Sequence, residues 1–193
     1  ICGILEATEG RVLYGGSSIR DLGAEYRRVL GYLPQEFGYY SEFTAKRFLM
    51  YLAALKAMGK TEAGEKVEEL LRKVDLDRDK NRKIKTFSGG MVRRLGIAQA
   101  LLNDPEILIL DEPTAGLDPR ERIRFRNIIS TLSRKRIILL STHIVPDVEY
   151  IADEILLMKE GKLLAMGDAG AGEGESVGMY REAGGHRAVS GLF

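Results

Sequence analysis

The apolar positions of the first hundred residues change period twice. Residues 10–14 read as a short strand and Gly15-Gly16 as a turn. Residues 29–33 form a second short apolar segment, halted by Pro34. From Thr44 the period becomes helical: Phe48, Leu49, Leu52, Leu55 and Met58 recur at spacings of three and four, and Gly59 ends the run. Thr61 is placed to cap a second helix with Val67, Leu70, Leu71 and Val74 on its apolar face. A charged linker, residues 75–85, follows. Ser88 then caps a third helix, carried by Met91, Leu95, Ala98 and Leu102 and closed by Asn103-Asp104-Pro105.

The second half alternates differently. Residues 107–110 and 137–140 are unbroken aliphatic runs, the pattern of strands buried on both faces of a parallel sheet. Residues 120–132 and 146–152 read as helices, and 155–158 as a strand turning at Glu160-Gly161 into 162–165. Strand and helix in alternation predict an α/β domain with a mainly parallel sheet. A mostly helical block at about 41–103 interrupts it as a subdomain. The domain is expected to occupy 1–167, and 168–193, rich in Gly with few large apolar residues, to form a flexible tail. Residues 1–5 read as the end of an amphipathic helix already under way, so the fold is expected to be incomplete at its N-terminus.

Composition narrows the classes. At 193 residues, 45% hydrophobic and 30% charged, the chain suits one globular domain with a real core. A net charge of +1 gives no electrostatic footing for a nucleic-acid partner. Cys2 is the only cysteine, which rules out an intramolecular disulfide. The aliphatic runs are far shorter than the ~20 residues needed to cross a bilayer, so membrane work would need another chain for the spans.

Chemistry concentrates at four places. In Ile107-Leu-Ile-Leu-Asp111-Glu112 a buried strand ends in two adjacent carboxylates, where ligands bind in doubly wound sheets. Two acids there need partners beyond packing. Asp111 suits Mg²⁺, directly or through water, and Glu112 suits a general base that activates water against a phosphate. Ser88-Gly89-Gly90 places bare backbone N–H groups and a helix dipole at one point, an anion site. His143 follows the second buried strand in Ser141-Thr142-His143, and Gln35 follows Pro34 after the segment 29–33.

In this order and at these intervals, the segments resemble the nucleotide-binding domain of an ATP-binding cassette (ABC) ATPase. GYLPQ at 31–35 matches the glutamine loop, FSGGM at 87–91 the signature motif, and LILDE at 108–112 the Walker B motif. Ala115-Gly116-Leu117-Asp118 matches the D-loop and His143 the switch histidine. The resemblance implies a P-loop NTPase-like sheet with an inserted helical subdomain, and ATP and Mg²⁺ as cofactors. It implies that Gln35 contacts Mg²⁺ or the attacking water, and that Ser88, Gly89, Gly90 and Met91 meet the γ-phosphate held by an opposite subunit. Asp118 would bridge the subunits, and His143 would contact the γ-phosphate and support Glu112. The implied partners are a second nucleotide-binding domain and a transmembrane permease, with the domain peripheral on the cytoplasmic face of the membrane.

Two departures stand out. Phe87 and Met91 replace the commoner Leu and Gln of the signature, and Met91 with Arg93-Arg94 looks like the bacterial branch that exports drugs, antibiotics and polymers. The pattern G-x-x-x-x-G-K-[ST] is absent. Gly59-Lys60-Thr61 does not supply it, because Ala54 stands where the first glycine belongs. The missing loop is expected just upstream of Ile1, and the chain as given is expected to be inactive. The aromatics Tyr32, Phe37, Tyr39, Tyr40 and Phe43 are either the cleft for a permease helix or core at the subdomain junction. The basic run 78–85 reads as a solvated face. The competing functions are a soluble ABC ATPase of translation or DNA repair and a non-catalytic ABC fragment.

Overall fold

The computed structural model describes residues 1–168 and 188–192. Six strands form the main sheet in the order β3-β4-β5-β8-β6-β7. β3 (Leu30–Leu33), β4 (Ile107–Asp111) and β5 (Ile137–Ser141) run parallel, in register from Leu30↔Ile107↔Ile137. β8 (Ala188–Leu192) lies parallel between β5 and β6 (Glu154–Lys159), and β6 turns into antiparallel β7 (Lys162–Asp168). A separate hairpin pairs β1 (Leu13–Tyr14) with β2 (Ser17–Ser18). Two short helices, α1 (Ile19–Leu22) and α2 (Ala24–Val29), lead from it into β3.

The helical block packs on the β3 side. α3 (Ala45–Leu55) starts at Thr44, whose hydroxyl accepts the Arg47 N–H, and buries Phe48, Leu49 and Ala53. Leu55, expected on this face, is 66% exposed, because the helix ends there and Ala57 turns left-handed at φ 58°. α4 (Lys60–Lys73) begins at Gly59 rather than at Thr61, and buries Val67, Leu70 and Leu71 as the spacing requires. α5 (Gly89–Ala100) crosses beneath β3 at short range. A methyl on Gly96 would meet Leu33 and Phe37 at 2.6 and 2.8 Å, and one on Gly31 would meet the Ala100 carbonyl at 2.5 Å. Only hydrogen fits on either side of that contact. α6 (Pro119–Ser133) and α7 (Val145–Ile151) connect the strands of the second half.

Two expectations change. Residues 1–5 form bends rather than a helix, since Gly3 takes φ 73°, and Ile1, Ile4 and Leu5 are 59%, 70% and 87% exposed. The basic run is a solvated face, as expected, and its charges form surface pairs: Lys80 joins Glu68 and Asp77, Arg82 joins Asp79, and Lys83 and Lys85 both join Glu42. Of the span 168–193 expected as a tail, 169–187 and 193 lie outside the described residues, while Ala188–Leu192 is an inner strand of the sheet.

Candidate functional site

Register sets the carboxyl edge of the sheet. Asp111 and Ser141 end β4 and β5 side by side, and the Ser141 hydroxyl donates to Asp111 Oδ1 at 2.6 Å. One Asp111 oxygen is thereby oriented, and the other is left for a further ligand. The N-terminal segment passes nearby. The Tyr26 hydroxyl donates to the Ile1 carbonyl at 3.1 Å, and burial, with a further push from the Asp111 charge, raises the Cys2 thiol above its ordinary pKa.

Glu112 leaves the strand at φ 43°, a left-handed conformation uncommon for a side chain of this kind. Its N–H is held by the Ser141 carbonyl at 3.0 Å. Its carboxylate is largely buried. Oε1 meets His143 Nδ1 at 2.8 Å, whereas Oε2 is buried and makes no hydrogen bond among the described residues. With Glu112 ionised, the His143 Nδ1–H donates, and the free Oε2 remains a proton acceptor aligned by the other oxygen. Buried polar atoms without partners are rare, and at a sheet edge they point to chemistry.

Arg93 ties this edge to the glutamine segment. Its guanidinium donates to the Pro34 carbonyl at 3.2 Å and reaches the Glu112 carbonyl at 3.5 Å. Burial lowers its pKa, and the charges of Asp111, Glu112 and Glu36 act against that. Gln35, one residue beyond Pro34, is exposed.

The second candidate is the start of α5. The Ser88 hydroxyl accepts the Met91 N–H at 3.2 Å, an N-cap that leaves the first-turn N–H groups open. Ser88 and Gly89 are exposed, and nothing lies within 4 Å of where a Gly89 side chain would begin. Gly90 is backed by the Glu121 carboxylate. The Met91 side chain packs against the core, so its contribution here is the backbone N–H that Ser88 holds. Beneath the loop, buried Arg94 donates to the Val74 and Asp75 carbonyls at 2.9 and 2.6 Å and to Glu121 at 3.2 Å. Asp118 caps α6, accepting the N–H groups of Arg120 and Glu121 at 2.9 Å each.

The structure thus joins Asp111, Glu112 and His143 at one edge, and Arg93 links that edge to Pro34, the residue before the exposed Gln35. It sets Ser88, Gly89 and Gly90 on another element, joined to Asp118 through Glu121. Arg93, Glu121 and Ser141 were not singled out as site residues. Ser141 was legible as the register partner of Asp111, whereas the arginine and glutamate contacts depend on how α5 and α6 pack. No group of three or more His, Cys, Asp or Glu side chains that could hold a metal occurs among the described residues. A cavity of about 350 Å³ among Lys73, Leu101, Asn127, Leu132 and Arg136 contains none of these residues.

Comparison with known proteins points the same way. The ABC transporter family model matches residues 1–115. The chain is 38% identical over 168 residues to the uncharacterized ABC transporter ATP-binding protein YxlF of Bacillus subtilis, covering 87% of this chain and 55% of that protein. It is 36% identical to the bacitracin transport ATP-binding protein BcrA of Bacillus licheniformis, over 85% of this chain and 53% of that one. A solved structure of the ATP-binding subunit of an ABC transporter superposes with a TM-score of 0.73 at 30% identity, covering 87% of this chain and 70% of that chain. Another, cbiO1 of Clostridium perfringens, part of the transporter complex cbiONQ, gives 0.76 at 26% identity, covering 86% and 69%. The chain spans about half the length of the curated relatives it matches.

Proposed function

The chain belongs to the ABC transporter family, and we propose that it is the part of an ATP-hydrolysing subunit that carries the general base, the switch histidine and the signature loop. The observation that carries this reading is the Glu112 carboxylate, with Oε1 on His143 and Oε2 buried and free. Glu112 takes the proton of the attacking water. His143 contacts the carboxylate and supplies its imidazole to the γ-phosphate. Asp111 and Gln35 are the residues that would hold Mg²⁺, and the fit rests on the Asp111 oxygen that Ser141 leaves free. When bound, Mg²⁺ neutralises charge on the β- and γ-phosphates. Ser88, Gly89 and Gly90 receive the γ-phosphate of the opposite subunit on the open N-terminus of α5, with Asp118 at the subunit boundary.

We place the subunit at the cytoplasmic face of a membrane, bound to a permease that supplies the spans. No helix among the described residues is long and apolar enough to cross one. Export is the favoured direction, because the relatives include the bacitracin transport protein and a linearmycin resistance protein of Bacillus subtilis. A soluble role in translation or repair has no comparable support. The test is sedimentation of a Glu112→Gln full-length protein with MgATP. A head-to-tail dimer is expected, and a monomer under saturating nucleotide contradicts the proposal.

A further inference from the structure

The Glu112–His143 contact has a weak point: the His143 side chain is 67% exposed. A contact whose histidine lies mostly in solvent contributes little and does not by itself hold two side chains in one geometry. Glu112 also sits in a left-handed backbone conformation, which persists only where the surroundings over-determine it. A buried carboxylate outside the catalytic pair supplies that constraint.

Asp147, in the first turn of α7, is fully buried. Its Oδ2 accepts the Thr114 hydroxyl at 2.5 Å, and its Oδ1 accepts Arg126 Nε and Nη2 at 2.9 and 2.5 Å. Thr114 is likewise fully buried and stands two residues beyond Glu112. The turn between them is closed on itself: Ala115 N–H donates to the Glu112 carbonyl and Leu117 N–H to the Thr114 carbonyl, each at 3.2 Å. Anchoring Thr114 therefore anchors Glu112. On the other side, Asp147 N–H donates to the Ile144 carbonyl at 3.0 Å, and Ile144 N–H to the Thr142 hydroxyl at 3.1 Å. His143 lies within that short segment.

We propose that Asp147 is a positioning residue for hydrolysis, clamping the turn of the general base to the helix that follows the switch histidine. This rests on the reading of Glu112 as the base. Arg126 neutralises the buried carboxylate, and its guanidinium also lies 5.4 Å from the centre of the Tyr150 ring. If the carboxylate served only the ion pair with α6, Arg126 alone would complete it. The Thr114 hydroxyl is the bond that reaches the base.

The experiment measures ATPase kinetics of the full-length protein. Thr114→Val removes the hydroxyl and leaves the Arg126–Asp147 pair intact, so it keeps the test open even if Asp147→Asn fails to fold. Thr114→Val should lower kcat by about ten- to a hundredfold, the scale of a displaced catalytic group, with KM for ATP changed by less than about twofold. Thr114→Ser should restore kcat. In a His143→Ala background, Thr114→Val should add almost nothing, because both changes act on one contact. An unchanged kcat in Thr114→Val, or an equal loss with and without His143, overturns the proposal. Parental turnover in Glu112→Gln overturns the base assignment and the clamp with it. Abolished turnover there with normal Thr114→Val kinetics overturns the clamp alone.

Discussion

The two regions that we propose meet a triphosphate are built in opposite ways. The start of α5 is relaxed. Its serine caps the helix from three residues away, and its backbone is of the extended-to-helical kind that caps ordinarily use. The edge at β4 and β5 is strained. Glu112 is left-handed, one of its oxygens is buried without a partner, and its histidine is mostly in solvent. Binding an anion needs only N–H groups that point outward, which any well-capped helix offers. Moving a proton needs a carboxylate held where it would not otherwise rest. Of these two regions, only the edge at β4 and β5 carries a left-handed side-chain residue.

The largest effect should come from breaking the strained edge. In the full-length protein Glu112→Gln should lower ATP turnover by about 10²–10⁴-fold, the usual contribution of a positioned base, while leaving nucleotide binding intact. Phosphate release against ATP binding measures both. Nearly as large is the effect expected because the sequence has no G-x-x-x-x-G-K-[ST] pattern to supply a lysine and a glycine-rich loop. The chain as given, tested by titration calorimetry with MgATP, should bind only in the millimolar range, because several charge-assisted hydrogen bonds of about 1.5–3 kcal/mol each are lost. Micromolar binding would relocate the phosphate site.

The relaxed region is sharpened by its two glycines. Gly90→Ala drives a methyl against the Glu121 carboxylate and should destabilise the chain by about 1–3 kcal/mol. Gly89→Ala meets open space and should leave the melting temperature almost unchanged. Equal melting temperatures for the two variants would contradict the packing of α5 on α6. The smallest effect concerns the helical block. Hydrogen bonds from Lys46 and Lys80 lower the Glu68 pKa from 4.5 to about 2. A depressed carboxylate pKa contributes stability above its unfolded value, and that stability fades as pH falls from 4.5 towards 2. Glu68→Gln should therefore cost at most about 1 kcal/mol at pH 7, given its surface position, and nothing near pH 2. Melting curves across that range check the sign.

Much of the site was legible because its signals are local. A four-residue aliphatic run ending in Asp111-Glu112 specifies a buried strand with acids at its carboxyl end, whatever packs around it. Ser88 announces a cap within its own turn. The contacts that support these groups were not legible. Arg94 finds Glu121 across 27 residues, and Thr114 finds Asp147 across 33. In sequence, each is one charged or polar residue among many. Thr61 misled for a related reason: its type suits a cap, but the chain enters α4 two residues earlier, at Gly59.

Sequence alone determined the strand–helix alternation, the acidic edge, the capped glycine loop and the family. The first three follow from periodicity and from hydrogen bonds that close within a few residues, and the family follows from the resemblance of the ordered motifs to a known one. Tertiary structure alone decided that Ala188–Leu192 enters the sheet between β5 and β6, where a Gly-rich tail was expected. A short segment of weak intrinsic preference becomes a strand when two neighbouring strands offer it unpaired N–H and C=O groups on both sides, and nothing in its own residues reveals that offer. The same holds for the Asp147 clamp. A buried carboxylate is tolerable only beside its donors, and those donors come from α6 and from the turn after β4, which only the folded chain brings together.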